Sequence, residues 1–288
     1  MTSTPSPIAN ISDTALWVAY YRAMESERPD ALFRDPYARL LAGERGKEIM
    51  QSMPQGKSSS WYMIVRTRTL DELILRLIEK DGCDTVLNLA AGLDTRPYRL
   101  PLPTSLHWID VDLPAILSYK AEKLAGEQPK CSLESVKLDL DDLPARNKLF
   151  ERINTSAKQA LVITEGLLIY LTVEQVDSLA VDLHAQSNFR WWFTEFISPQ
   201  QMKYMQRAWD KQLTAGSASI HFALEDSETF YRERGWKVAE FRSSMEEAHR
   251  FKREMSFAWL IRLLTRLAPK EKQEYYRKMS GYALLERE

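Results

Sequence analysis

Short apolar runs that alternate with helical stretches, beginning after Gly82, are the feature that most restricts the fold of this sequence. The runs lie at residues 85–89, 107–111, 135–138, 160–164 and 190–196. Strands that alternate with helices form a parallel sheet that helices cover on both faces. Two later runs, 236–241 and 282–285, add strands at one edge. The pattern therefore predicts an α/β fold with a seven-stranded, mostly parallel sheet.

Helical signals dominate the first 80 residues. Apolar residues recur at helical spacing from Ser12 onward, and further helices are expected over residues 36–42 and 61–80. A helical segment at 245–267 separates the last two strands. We expect residues 1–80 to form an N-terminal helical extension or cap. Residues 81–288 then form the core with a C-terminal helical insertion, and the whole is one structural domain.

Charge and cysteine content exclude several classes of protein. The 288 residues include 39 Lys and Arg against 40 Asp and Glu, and this balance gives no global field for nucleic acid or an anionic membrane. Two widely separated cysteines form neither a disulfide framework nor a cysteine-based zinc site. No secretory signal or membrane span is visible. We expect a cytoplasmic protein that binds no metal, nucleic acid or membrane. Assembly into a homo-oligomer is compatible with the sequence.

One segment departs from this balance. Residues 250–278 hold nine Lys or Arg against three Glu, which by itself suggests a nucleic-acid or membrane surface. The segment also has apolar residues every fourth position: Phe251, Met255, Trp259, Leu263 and Leu267. This spacing is typical of an amphipathic helix packed on its own domain or closing over a site, and we favour that interpretation.

A turn of small residues follows the first core strand, in the sequence VLNLAAGLDTRPYRL. Small residues at such a turn let a ligand approach the backbone at the carboxyl edge of the sheet. A dinucleotide fingerprint would need glycines at Ala90, Gly92 and Thr95, and only Gly92 is present. A pyrophosphate site is therefore disfavoured. Taken alone, the turn is equally well explained as an ordinary strand-to-helix connection.

Acidic residues end the next two strands. Asp112 follows Gly92 by 20 residues, a position from which a carboxylate can bind both ribose hydroxyls of a nucleoside. Asp110 is the competing acid on the same strand face, but Asp112 lies nearer the strand end. After the third strand, Asp139 could bond to the adenine amino group while Leu140 packs on the ring. A solvated acidic turn explains Asp139 equally well.

Several motifs resemble one family. They are TALWVAYYRAMESERPDALFRDPYARLLAG, VRTRTLDELI, NLAAGLDTRPYRL, VDLP, LDLDDLP and TEGLLIYL, spread over most of the chain. With them the sequence resembles the leucine carboxyl methyltransferases, S-adenosylmethionine enzymes that include protein phosphatase carboxyl methyltransferases and bacterial enzymes acting on polyketide acids. The resemblance implies a Rossmann-like fold with S-adenosyl-L-methionine as cofactor.

The resemblance also assigns roles to residues. It implies that Arg66 binds the methionine carboxylate of the cofactor and that Glu165 lies beside its amino group. Gly92 then belongs to the glycine turn, Asp112 binds the ribose, and Asp139 and Leu140 frame the adenine. Where relatives often have glycine, this chain has Ala90, whose methyl group lies at the closest backbone approach.

The chemistry of these residue types agrees with those roles. A zwitterionic methionine tail needs one cation and one anion, and an arginine suits a carboxylate. The alternative for Arg66 is a solvated helix face. An acid such as Glu165 at the end of a buried strand is costly unless it is paired or faces a ligand.

The sequence restricts the identity of the methyl acceptor less than that of the cofactor. A small-molecule or peptide carboxylate is already ionised at neutral pH and needs no catalytic base. A phenol would need one, and His221 and Tyr170 are then the candidates, although Tyr170 could equally be a core residue. Aromatic residues that could line an acceptor pocket are Trp17, Tyr20, Tyr21 and Trp209.

We therefore expect an S-adenosylmethionine-dependent O-methyltransferase acting on a carboxylate. A phenolic O-methyltransferase and a non-catalytic nucleoside-binding protein are the alternatives.

Overall fold

A computed structural model describes residues 11–52, 60–215 and 220–288, without the side chains of residues 11, 12 and 208–215. The helices are α1 (Ile11–Ser26), α2 (Ala38–Ser52), α3 (Ser60–Lys80), α4 (Arg96–Arg99), α5 (Pro114–Lys123), α6 (Leu143–Ser156), α7 (Val173–His184), α8 (Pro199–Ala215), α9 (Ser227–Arg232), α10 (Ser244–Arg250), α11 (Ala258–Leu267) and α12 (Lys270–Lys278). The strands are β1 (Thr85–Leu89), β2 (His107–Asp112), β3 (Ser132–Lys137), β4 (Ala160–Ile163), β5 (Phe189–Ile197), β6 (Trp236–Ser243) and β7 (Ser280–Arg287).

All seven strands form one sheet, in the order β3-β2-β1-β4-β5-β7-β6. Strands β1 to β5 are parallel, and β7 lies antiparallel to both β5 and β6. The prediction of a seven-stranded, mostly parallel sheet is confirmed. The order reverses between β1 and β4, so ligands are expected beyond the carboxyl ends of these central strands.

The position of each strand explains how well its sequence pattern predicted it. Every residue of β1 and β4 is buried, because helices cover both faces of the central sheet. Strand β3 forms one edge and is largely exposed. Its polar start at Ser132 carries no apolar signal, so the predicted run at 135–138 begins three residues late and ends one residue late.

Alternating residues of the strands face two different helical layers. Leu87 and Val162 pack with side chains of α6 and α7 on one face. Val86 and Leu161 pack with side chains of α3 and α10 on the other. Helix α3 lies within the predicted extension 1–80 and covers the sheet directly.

Helices α1 and α2 form a third layer over the carboxyl edge of the sheet. They share a buried cluster that includes Trp17, Tyr21 and Leu41. The guanidinium of Arg22 on α1 donates to the carbonyl oxygen of Leu93 at 2.6 Å and to Asp35 at 2.9 Å. The N-terminal layer is thereby fixed onto the turn that follows β1.

The segment between β6 and β7 differs from its prediction. A single helix over 245–267 is wrong, because the chain breaks between α10 and α11 and takes left-handed backbone angles at Lys252 and Phe257. The apolar spacing continues across this break although the helix does not. The expectation of a packed apolar face is also wrong, since Trp259 and Leu267 are mostly exposed.

Within the described ranges, no helix is long and apolar enough to cross a membrane.

Candidate functional site

The candidate site lies at the carboxyl ends of the parallel strands. Ala90 and Gly92 follow β1, Asp112 ends β2, Asp139 follows β3 and Glu165 follows β4. In a parallel sheet these ends meet at one edge, so these five sequence-predicted residues come together there. Arg66 reaches the same edge from α3, since it contacts Glu165.

The turn after β1 is fixed by backbone hydrogen bonds. The amide of Ala91 donates to the carbonyl oxygen of Val111 at 3.1 Å, and the amide of Gly92 donates to Oδ2 of Asp112 at 2.6 Å. Ala90 and Gly92 both have positive φ, 54° and 51°. An alanine tolerates this conformation poorly, so Ala90 stores strain in the turn.

The two acids of β2 have different surroundings. Asp110 is fully buried, and its carboxylate accepts from Lys120 at 2.7 Å and from Trp108 at 2.8 Å. Asp112 is only partly buried, and each of its oxygens accepts one backbone N–H, from Gly92 and from Leu113. Each oxygen of Asp112 keeps a second acceptor direction. Asp112 is therefore the acid available to a ligand.

Asp139 and Leu140 lie where the third strand ends. The Asp139 side chain is exposed and its Oδ1 accepts from the backbone amide of Asp141 at 3.0 Å. Leu140 is half-buried and packs on the core beneath it. The adenine-binding role of Asp139 stays a prediction.

Arg66 is held between two carboxylates. Its Nε donates to Oε1 of Glu165 at 2.8 Å, and its Nη1 donates to Oε1 of Glu195 at 2.8 Å. The side chain is buried, so a solvated helix face is wrong for Arg66. A Cβ atom on Gly166 would lie 3.1 Å from Nη1 of Arg66. Because Gly166 has no side chain, it leaves room beside the guanidinium of Arg66.

Glu165 accepts from a second arginine as well. Arg96 Nη1 donates to Oε2 of Glu165 at 2.7 Å, while Arg96 Nε donates to Asp71 at 2.7 Å. Burial opposes ionisation of Glu165, but the charges of Arg96 and Arg66 outweigh it and lower its pKa. Glu165 is consequently a carboxylate anion at neutral pH.

For two other acids burial outweighs the opposing interactions, and the net shift of the pKa is upward. Burial raises the pKa of Glu195, although Arg66 and the amide of Gly166 oppose the shift. It also raises the pKa of Asp112, against the hydrogen bonds from Gly92 and Leu113. Both acids lose their charge at a higher pH than an exposed carboxylate would.

Sequence reasoning missed Arg96 and Glu195. Arg96 lies inside the motif GLDTRPYRL, directly after the glycine turn, and a buried arginine there needs acidic partners. Glu195 is an acid within the apolar run 190–196, and the cost argument that singled out Glu165 applies to it equally. Both signals were present in the sequence.

A cavity adjoins Arg66 and Glu195. Its internal volume is small, about 30 Å³, and reaches about 380 Å³ only when the open space at its mouth is included. Its lining consists of Trp17, Tyr62, Met63, Arg66, Ile169, Tyr170, Glu195, Ile197, Met205 and Ile220. The walls are apolar and aromatic, and the charged pair Arg66–Glu195 supplies the polar part.

The remaining candidate residues for the acceptor site lie in different parts of the structure. Tyr170 and Trp17 line this cavity, whereas Tyr20 and Tyr21 lie in the adjoining core cluster. His221 is exposed, and its backbone amide donates to the carbonyl oxygen of Ile169 at 2.7 Å. The side chain of Trp209 lies outside the described residues.

Comparison with known proteins gives one family. A model of the leucine carboxyl methyltransferase family matches residues 15–183. Two bacterial relatives are named putative S-adenosyl-L-methionine-dependent methyltransferases. One, from Parafrankia, is 34% identical over 185 residues, 61% of this chain and 59% of the relative. The other, from Streptomyces coelicolor, is 36% identical over 185 residues, 60% of this chain and 64% of the relative. The chain thus spans about three fifths of the length of these curated relatives.

Two solved structures share the fold. A DUF574 family protein from Streptomyces avermitilis has a TM-score of 0.59 at 11% identity and covers 96% of this chain and 97% of its own. A putative methyltransferase from Thermobifida fusca has a TM-score of 0.59 at 14% identity and covers 98% of this chain and 96% of its own. At such identities the likeness concerns the architecture alone.

Proposed function

The chain belongs to the leucine carboxyl methyltransferase family, and from that premise we propose that it is an S-adenosylmethionine-dependent O-methyltransferase. Its product is the methyl ester of a carboxylate on a small metabolite or a peptide terminus. The observation that carries the proposal is the ion pair of Arg66 with Glu165, which lies at the same sheet edge as Asp112.

These residues fit the parts of the cofactor. The free acceptor direction on each oxygen of Asp112 suits two ribose hydroxyls. Arg66 donates through Nε and Nη1 to protein carboxylates, and its Nη2 has no hydrogen-bond partner among the described residues. That nitrogen can receive the methionine carboxylate, while Glu165 attracts the amino group.

The bound cofactor supplies a methyl group on a positively charged sulfur. The protein has to hold the acceptor in line with that group, and such positioning can lower the barrier by about 7–11 kcal/mol. The apolar and aromatic residues that line the small cavity beside Arg66 would contact the body of an acceptor and exclude water. The helical layer of α1 and α2 covers the same edge, because Arg22 fixes it to Leu93.

The cavity favours a carboxylate over a phenol. Burial raises the pKa of Tyr170, so this residue is neutral at physiological pH and cannot take a proton from the acceptor. Glu195 accepts from Arg66 and from the amide of Gly166, and only its Oε2 keeps an acceptor direction for a phenol hydroxyl. His221 is exposed and does not belong to the cavity lining. An ionised carboxylate needs none of these groups as a base.

The test uses cofactor labelled in its methyl group and a panel of carboxylic acids and phenols. We expect labelled product from carboxylic acids, and we expect mild alkali to release the label as volatile methanol. Asp112→Asn protein serves as the control for background transfer. Label that survives alkali would reject the ester and favour the phenolic alternative, whereas binding of cofactor without any transfer would favour the non-catalytic one.

A further inference from the structure

Helix α11 turns its apolar side to solvent. Its large apolar residues are all exposed: Trp259, Leu260, Ile261, Leu263, Leu264 and Leu267. Leu267 is 76% exposed and Trp259 is 61% exposed. Phe257, directly before the helix, is 71% exposed. Isolated exposed apolar residues are ordinary, but a continuous group on one helix marks an interaction surface.

The helix is amphipathic, but its apolar side faces solvent, whereas a packed surface helix turns its apolar side toward the protein. At about 100° per residue, the six apolar residues occupy one side, and Ala258, Arg262 and Thr265 occupy the other. The second side is the less exposed one: Ala258 is buried, and Arg262 forms an ion pair with Glu254. The polar side therefore faces the protein and the apolar side faces outward.

Basic residues surround this apolar side. Arg266, Lys270 and Lys272 are exposed and form no ion pair with any described residue. Glu271 lies between the two lysines and forms no ion pair with any described residue, so the net charge of the group is +2, while Glu274 on α12 is paired with Arg277. The whole protein has a net charge of −1, so the unpaired positive charge of this surface is local.

The insertion that carries the helix ends at the edge of the sheet where the candidate site lies. The insertion of α10 to α12 leads into β7, whose first residue, Ser280, pairs with Ile197 at the carboxyl end of β5. Ile197 lines the cavity beside Arg66. The chain therefore enters β7 from the edge of the sheet at which the site opens.

We propose that α11 and its flanking cations form a docking surface for an anionic lipid bilayer. Trp and Leu side chains on one side of a helix, with Arg and Lys beside them, are the composition of helices that lie in the membrane interface. Anionic headgroups complement Arg266, Lys270 and Lys272. A second copy packed on the same face would bring these cations together around a two-fold axis, so the charge favours lipid over a dimer.

This proposal replaces the expectation of no membrane partner, which rested on the net charge of the chain. Binding to lipid requires neither the cofactor nor methyl transfer, so it is tested separately from the proposed function.

The experiment measures co-sedimentation of the full chain with vesicles of phosphatidylcholine, with and without phosphatidylglycerol. We expect binding to the anionic vesicles that weakens with added salt. Replacing Arg266, Lys270 and Lys272 together by Gln should reduce partitioning about 100-fold, since each basic residue near an anionic surface contributes about a fivefold gain. Lys137→Gln with Lys148→Gln, two exposed lysines elsewhere, is the matched control and should bind like wild type.

A second variant tests the apolar contact. The variant in which Ser replaces Leu263, Leu264 and Leu267 should partition into the vesicles at least about tenfold more weakly than wild type. These leucines supply the apolar part of the interaction when they are buried in lipid. These side chains are exposed, so the fold should tolerate the changes. Leu40→Ser with Val181→Ser is the control at exposed apolar residues outside the surface. Brominated lipids should quench Trp259, and Trp259→Phe should remove that quenching.

Equal sedimentation with and without phosphatidylglycerol, or none at all, would overturn the proposal. So would a dimer in solution that the triple serine variant dissociates, since the face would then be covered by a second copy. Binding that the three serines leave unchanged would place the lipid contact elsewhere and reject this surface.

Discussion

Replacing Asp112 by Asn tests the ribose contact with the smallest change of shape. In the structure the two carboxylate oxygens accept backbone N–H groups at 2.6 and 2.7 Å, and each retains one acceptor direction for a ribose hydroxyl. An asparagine keeps one of these oxygens and replaces the other with an NH2 group, which cannot accept. One ribose bond is lost, and the other becomes a bond to a neutral group.

The size of the effect follows from those two changes. A hydrogen bond to a charged group contributes about 1.5–3 kcal/mol, and one between neutral groups about 0.5–1.5 kcal/mol. The variant should therefore lose about 2.5–4.5 kcal/mol of binding free energy, which corresponds to an affinity about 70-fold to 2,000-fold lower. The loss should be the same for adenosine and for S-adenosylhomocysteine, because both carry the ribose.

Isothermal titration calorimetry with both ligands measures this loss. Asp142→Asn is the control, since Asp142 caps α6 outside the candidate site and Asn caps helices equally well. Asp110→Asn should lower thermal stability by breaking the pair with Lys120 but leave the affinity of the folded protein unchanged. A wild-type dissociation constant for Asp112→Asn would show that the wrong acid was assigned to the ribose.

Three further changes have defined outcomes. Arg66→Lys should lower the affinity for S-adenosylhomocysteine about tenfold to a hundredfold but leave the affinity for adenosine unchanged, since only the former ligand carries the carboxylate. Equal losses of affinity for both ligands in titration would reject the contact. Because burial raises the pKa of Asp112 and its charged form binds the ribose, affinity should fall as the pH drops, beginning above the ordinary aspartate pKa of about 3.9. Constant affinity down to about pH 4 would contradict this. Ala90→Gly places a glycine where the backbone has a positive φ and should stabilise the protein by about 1 kcal/mol, raising its melting temperature by about 2 °C. An unchanged or lower melting temperature would show that Ala90 is not strained.

The sequence predicted the central sheet well because its signals are local. Strand β1 was placed at its observed bounds, and the predicted runs for β2 and β4 differ from the strands by one residue each. Burial on both faces makes such strands continuous apolar runs. The edge strand β3 has one solvent-exposed side, so its pattern was weaker and its start was misplaced.

The segment between β6 and β7 shows where periodicity fails. Spacing at every fourth residue from Phe251 to Leu267 predicted one packed helix, but the pattern contains no information about which side faces the protein. Phe251 is buried, whereas Leu267 is exposed. The turn between them, with positive φ at Lys252 and Phe257, depends on tertiary contacts such as the ion pair of Arg253 with Glu25.

The candidate site was predicted in its parts but not in its connections. Strand ends and motifs indicated Asp112 and Glu165, because these positions can be counted along the chain. The partners of Arg66 are 99 and 129 residues away, and no local pattern relates them. Glu195 therefore became visible as part of the site only when β5 was placed beside β4.

A crystal structure of the protein with S-adenosylhomocysteine is the most direct test of the proposed site. The account predicts the ribose hydroxyls within hydrogen-bond distance of Asp112 and the homocysteine carboxylate on Arg66. The sulfur atom should face the cavity that Tyr170 lines. A ligand whose ribose lies away from Asp112, or whose carboxylate is bound by a residue other than Arg66, would contradict it.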